Sequence, residues 1–194
     1  MNIILGSASK WRQQILKDAG VVFTCLNPDI DEKAIRHSNP EQLVLALANA
    51  KADALLPKIT TPSLLITADQ VVAFKDEIRE KPETNEQARY YLKSYAEHYA
   101  ETFTAVVVTN TQTRKRLQAV DRAKVYMKPI PDSIIDDMIQ AGHIFHCAGG
   151  FQIEGDDQLS PYVETVEGDV DSVKGLPLKL TLSLLKRQEF WVNE

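Results

Sequence analysis

Short apolar runs alternate along the chain with stretches whose apolar positions recur every three or four residues, the pattern of an α/β protein. Asn2–Leu5 predicts a short buried strand, followed by the small-residue loop Gly6-Ser7-Ala8-Ser9. A helix is expected from about Lys10 to Ala19, capped by Ser9 and stopped by Gly20. Asn39-Pro40 opens a second helix with proline at its first position, and Leu43, Leu47, Ala50 and Ala54 give it one apolar stripe. Ser63–Ala68 reads as a strand ending at Asp69-Gln70. Thr84-Asn85-Glu86-Gln87 is a capping-box pattern for a third helix over Asn85–Ser94. Thr102–Thr109 and Ala123–Met127 are expected strands, and Pro131–Gln140 a helix ended by Ala141-Gly142. Gly149-Gly150 and Glu154-Gly155-Asp156-Asp157 mark a loop-rich region. Gly175-Leu176-Pro177 precedes a closing helix to about Lys186. No internal repeat or linker interrupts this order, so a single domain over residues 1–194 is expected.

Composition narrows the class. With 44% hydrophobic and 25% charged residues in 194, the chain is neither disordered nor fibrous. No apolar run approaches the ~20 residues of a membrane span, and Met1–Gly6 has no basic leader, so a cytoplasmic protein without a membrane partner is expected. Cys25 and Cys147 form no CxxC pair, which suits reduced thiols. A net charge of −5 argues against bulk binding of nucleic acid. A small anionic ligand would need a local cluster of cations.

Candidate groups for such a cluster exist. A helix start after a small-residue loop presents unpaired N–H groups, and Ser7, Ser9 and Arg12 add donors suited to phosphate oxygens. Asp69 closes an apolar strand, and ligands in open α/β sheets gather at the carboxyl ends of strands. A carboxylate there can hold a divalent cation or take a proton from water. Lys51 adjoins the stripe of the second helix, Lys81 precedes Pro82, and Glu32 lies in the acidic run Asp29-Ile30-Asp31-Glu32. Singly, each has a plainer explanation: a capped helix, a turn aspartate, solvated lysines, a solvated acidic loop. His143, His146 and Cys147 lack a second ligand cluster that would complete a zinc site.

Together these segments resemble the Maf family of nucleotide pyrophosphatases along nearly the whole chain. The resemblance rests on Leu5-Gly6-Ser7-Ala8-Ser9-Lys10-Trp11-Arg12, Pro28-Asp29-Ile30-Asp31-Glu32 and Ala48-Asn49-Ala50-Lys51-Ala52. It continues in Ile66-Thr67-Ala68-Asp69-Gln70-Val71-Val72, Lys81-Pro82, Ala148–Gly155, Val166-Glu167-Gly168 and Gly175-Leu176-Pro177-Leu178. It implies a mixed twisted sheet flanked by helices, similar to inosine triphosphate pyrophosphatases. It further implies two lobes with a nucleotide cleft, a homodimer, and Mg²⁺- or Mn²⁺-dependent hydrolysis of a nucleoside triphosphate to monophosphate and pyrophosphate. By position, Asp69 matches the family's proton acceptor. Ser7, Arg12, Glu32, Lys51 and Lys81 match its phosphate- and metal-handling residues. Lys10 stands where the family usually has proline, and Ala105 where it commonly has glycine.

Three positions resemble those that sort substrate within the family. Trp11, Gln70 and Glu154 are similar to the branch acting on 7-methyl-GTP, whereas the dTTP/UTP branch carries Arg, Thr and Gln there. A cationic 7-methylguanine suits an indole face, and a carboxylate accepts from guanine's N1–H and exocyclic amine. Trp11 also fits a core position with Ile15 and Ala19, and Glu154 an exposed loop. The rival readings are a dTTP/UTP pyrophosphatase and a non-catalytic regulator of septum formation, the process from which the family takes its name.

Overall fold

The computed structural model describes residues 1–150, 153 and 158–190, with residues 189 and 190 described as backbone only. Its strands are β1 (Asn2–Gly6), β2 (Thr24–Cys25), β3 (Ser63–Phe74), β4 (Glu77–Arg79), β5 (Ala100–Asn110), β6 (Arg116–Met127) and β7 (Val163–Glu167). Its helices are α1 (Lys10–Asp18), α2 (Pro40–Leu55), α3 (Asn85–Ser94), α4 (Asp132–Ala141), α5 (Val170–Val173) and α6 (Leu178–Phe190). The seven strands are ordered β2-β1-β3-β5-β6-β7, with β4 paired to β3. β1 runs parallel to β2 and β3, whereas the β3–β4 and β6–β7 pairs are antiparallel, so the sheet is mixed. Among the described residues no helix is long and apolar enough to cross a membrane.

Two compact units interleave along the chain. The first comprises residues 1–69, 104–121 and 175–194, the second residues 70–103 and 122–174. In the first, alternate residues of β3 enter different cores, as a strand's two-residue period requires. Leu64 and Ile66 pack with Ile15 and Leu16 of α1 and Leu184 and Leu185 of α6. Leu65 joins Ala52 and Leu55 of α2. Residue 6 must be glycine for α2 to come this close: a Cβ there would stand 2.6 Å from Leu55 Cδ1 and 2.8 Å from Thr67 Cγ2.

In the second unit, Val72 and Phe74 pack with Ala88, Tyr91 and Leu92 of α3 and with Ala123, Val125 and Met127 of β6. The β3–β4 hairpin pairs Val72 with Arg79 and Phe74 with Glu77, and Lys75 adopts a positive φ of 54° in its turn. Gly142 ends α4 in the left-handed region, at φ 78°, where glycine carries no Cβ penalty.

Two expectations need correction. Asp69 does not close its strand, because β3 continues to Phe74. Val71, Val72 and Phe74 are buried and keep the strand going. The apolar stripe of α2 also faces elsewhere. Its buried residues are Leu43, Val44, Leu47, Ala48, Lys51, Ala52 and Leu55, whereas Ala50 and Ala54 are half-buried. Alanines mark a helix face weakly, and burial follows the larger Val44 and Leu55.

Candidate active site

The site is built at the end of the β1–β3 pairing. That register runs from Asn2 opposite Ser63 to Gly6 opposite Thr67, and Asp69 lies two residues beyond it. Thr67 and Asp69 share one face of β3. Ala48 and Lys51, three apart, share one face of α2. The Thr67 hydroxyl donates to the Ala48 carbonyl at 2.8 Å, one step before Lys51 meets Asp69. Helix and strand are thereby matched in register, and the ammonium is delivered onto the carboxylate.

Lys51 and Asp69 are 7% and 6% exposed, which removes the reading of Lys51 as a solvated side chain. Lys51 Nζ hydrogen-bonds Asp69 Oδ1 and also lies 2.7 Å from Glu32 Oε1. Glu32 heads a 3₁₀ turn whose N-cap, Asp31, accepts from the Lys33 N–H at 3.1 Å. Two carboxylates therefore converge on one ammonium. Burial holds the Asp69 carboxyl above the ordinary carboxylate range, while Lys51 and then Arg12 restrain the rise and Glu32 adds to it.

The start of α1 supplies the other donors. Ser9 caps the helix by accepting from the Arg12 N–H at 3.4 Å, so Lys10 begins α1 without the family's proline. Ser7 Oγ accepts from the Ser9 N–H at 3.2 Å and from Arg12 Nη1 at 3.5 Å, which directs its own proton outward as a donor. Arg12 Nε donates to the Gly175 carbonyl and Nη1 to the Ala68 carbonyl, each at 2.8 Å. The fork expected to face phosphate is thus partly committed to backbone, and among the described residues Nη2 makes no hydrogen bond. Burial lowers the Arg12 pKa, against the opposing pull of Asp69 and Glu32, and a guanidinium remains charged.

Ser7, Ser9, Arg12, Glu32, Lys51 and Asp69 accordingly assemble in the first unit. Trp11 lies half-buried on α1, whose buried residues are Ile15 and Leu16, and Ala19 is exposed, so the expected Trp11-Ile15-Ala19 core stripe does not form. Gln70 and Lys81 belong to the second unit. The Gln70 amide nitrogen donates to the carbonyls of Ser172, at 2.6 Å, and Val173, at 3.1 Å. Lys81 is exposed. Glu154 lies outside the described residues.

Sequence reasoning missed Thr67, whose hydroxyl sets the helix–strand register, and Arg79 with Tyr95, which are buried in the second unit. Three tyrosines around α3 and one arginine in β4 were the available signal for the last pair.

Fold and site together define an α/β protein in which α1, α2, a 3₁₀ turn and β3 bring guanidinium, ammonium, hydroxyl and carboxylate groups suited to a phosphate-bearing ligand to one unit. The chain belongs to the Maf family, whose Maf-like protein model matches residues 2–188. It is 43% identical over 192 residues to a 7-methyl-GTP pyrophosphatase of Dictyostelium discoideum, an alignment covering 95% of this chain and 96% of that one. It is 33% identical over 187 residues to a 7-methyl-GTP pyrophosphatase of Vibrio vulnificus, covering 96% and 94%. Among solved structures, a dITP/XTP pyrophosphatase from Mycobacterium abscessus matches with TM-score 0.39 and 10% identity, over 68% of this chain and 76% of that chain. The Staphylococcus aureus Ham1 protein matches with TM-score 0.40 and 10% identity, over 66% and 72%.

Proposed function

We propose that this protein hydrolyses 7-methyl-GTP to 7-methyl-GMP and pyrophosphate, removing a non-standard nucleotide from the cytoplasmic pool. Family membership and two relatives of that name support the reaction. The observation that carries it is the buried lysine shared by two carboxylates. A triphosphate brings several negative charges, and Lys51, Arg12 Nη2, the Ser7 hydroxyl and the α1 N-terminus are the groups to receive them. When Lys51 turns to phosphate oxygens, Asp69 loses its strongest restraint and becomes a better proton acceptor for the attacking water. Lys81 is assigned to the same polyphosphate by its place in the family motif.

The donor set fits a Mg²⁺ or Mn²⁺ ion. Among the described residues no group of three or more His, Cys, Asp or Glu forms a protein cage. Mg²⁺ in phosphoryl-transfer sites takes one or two carboxylates and completes its shell with substrate phosphates and water. Glu32 and Asp69 would hold it, as their convergence on one ammonium allows. The ion would neutralise charge on the phosphate oxygens.

Trp11 is assigned to stack on the cationic base, Glu154 to accept from its Watson–Crick edge, and Gln70 to a base or phosphate contact. A panel of 7-methyl-GTP, GTP, UTP and dTTP, assayed with Mg²⁺, with Mn²⁺ and with chelator, tests this directly. The expected result is preference for 7-methyl-GTP, release of pyrophosphate, and loss of turnover in chelator. Preference for UTP would defeat the assignment. The triple change Trp11→Arg, Gln70→Thr, Glu154→Gln is expected to move activity toward pyrimidines, and an unmoved preference would remove these residues from the account.

A further inference from the structure

Lys51 meets Asp69 from the inner face of α2, and the outer face of the same turns is gripped by a network that the reaction chemistry does not use. Asn49 and Asp53 lie two residues before and two after Lys51, each about 200° around the helix from it, so the pair shares the face opposite the lysine. Arg116, the first residue of β6, reaches both: Nη1 donates to Asn49 Oδ1 at 2.8 Å and Nη2 donates to Asp53 Oδ1. The other end of the Asn49 amide is also used. Its Nδ2 donates to the Leu45 carbonyl at 2.9 Å, one turn back along α2, and to Gln118 Oε1 at 2.8 Å. Gln118 stands two residues beyond Arg116, on the same face of β6.

The root of this arm is anchored too. The Lys115 carbonyl, next to Arg116 in the chain, accepts from the Asn110 N–H at 3.0 Å and from Gln188 Nε2 at 3.1 Å. Gln188, buried on α6, also donates to the Val108 carbonyl at 3.0 Å, which ties the start of β6 to β5. The ion pair itself adds little stability, because the Asp53 side chain is 65% exposed. Its contribution is geometric: a planar fork spanning one helical turn resists rotation of α2 about its axis in either direction. On the inner side the Thr67 hydroxyl holds the Ala48 carbonyl. Lys51 therefore stands on a turn fastened from both sides.

We propose that Arg116 is a positioning residue for hydrolysis: its fork on Asn49 and Asp53 sets the rotation of α2 that aims Lys51 at Asp69 and at the phosphate oxygens. The proposal rests on the reading of Lys51 as a phosphate-binding group. The test measures kcat and KM in the full chain, with whichever nucleotide of the panel above turns over fastest, for Arg116→Met, Arg116→Lys, Lys51→Met and Arg116→Met with Lys51→Met. Arg116→Met is expected to lower kcat about tenfold with KM within about twofold, because a displaced ammonium costs more in the transition state than in the bound substrate. Arg116→Lys should behave alike, since one ammonium lacks the fork that spans Asn49 and Asp53. In the Lys51→Met background, Arg116→Met should add less than about twofold, because both changes act through one ammonium. A loss of folded protein lowers both backgrounds by the same factor, so an equal fall in each would overturn the positioning role and leave the role of Lys51 standing. An unchanged kcat in Arg116→Met or Arg116→Lys would do the same. If Lys51→Met leaves turnover unmoved, the reading of Lys51 fails and the proposal fails with it.

Discussion

Asp69→Asn is expected to lower kcat for nucleoside triphosphate hydrolysis by about 10²–10⁴-fold, the usual cost of deleting a positioned proton acceptor. Asparagine keeps the shape and a carbonyl for Lys51, and the lysine retains Glu32 at 2.7 Å, so the protein should remain folded. KM should change far less than kcat, because Ser7, Arg12 and Lys51 still receive the phosphates. Residual activity above about a tenth of wild type would show that another group takes the proton. The same variant separates the enzyme from a septum regulator. If the cellular effect survives the loss of hydrolysis, binding alone accounts for it; if both vanish, catalysis is the function.

Lys51→Met removes the ammonium and strands the Asp69 carboxylate in a site where it is 6% exposed. Breaking a buried pair in this way costs about 3–5 kcal/mol, and turnover should fall by more than about 10²-fold because the buried ammonium of Lys51 no longer meets the phosphate oxygens. The pH dependence follows from the upward displacement of Asp69 from 3.8. A carboxyl raised on folding binds its proton more tightly in the native state. Its contribution is fully present below the unfolded value and is lost as pH rises through the folded one. Without Lys51 that folded value climbs further, so more stability is lost on the way up. Urea titrations of the metal-free protein at about pH 5 and pH 8 are expected to show a larger fall in Lys51→Met than in wild type, and no such contribution when Asp69→Asn is added. An equal fall in wild type and the single variant would mean that Lys51 does not restrain Asp69.

Much of the scaffold was written in local signals. Ser9, Asn39 and Thr84 each accept from the N–H three residues on, as their positions before an apolar periodic run predicted. What was hidden depended on distant partners. The polar pair Asp69-Gln70 looked like a strand end because nothing local reveals that an ammonium from α2 makes the aspartate tolerable inside. The two-residue β2, three-residue β4 and half-exposed β7 carry too little apolar alternation to stand out, and pairing creates them. Ser7, Arg12, Glu32, Lys51 and Asp69, which lie together in the first unit, are each singled out through the family motif. The coupling of Lys51 to two carboxylates, and the backbone bonds that occupy much of Arg12, required three-dimensional placement.

The Thr67–Ala48 bond bears on how this enzyme can be dissected or rebuilt. It is a neutral clasp between α2 and β3, indifferent to pH and ionic strength, set one step behind the charged pair. The electrostatics ahead of it can therefore be rewritten, by charge reversal or by neutral isosteres, while the helix keeps its seat. An engineer seeking a new leaving group has a fixed pin to work from.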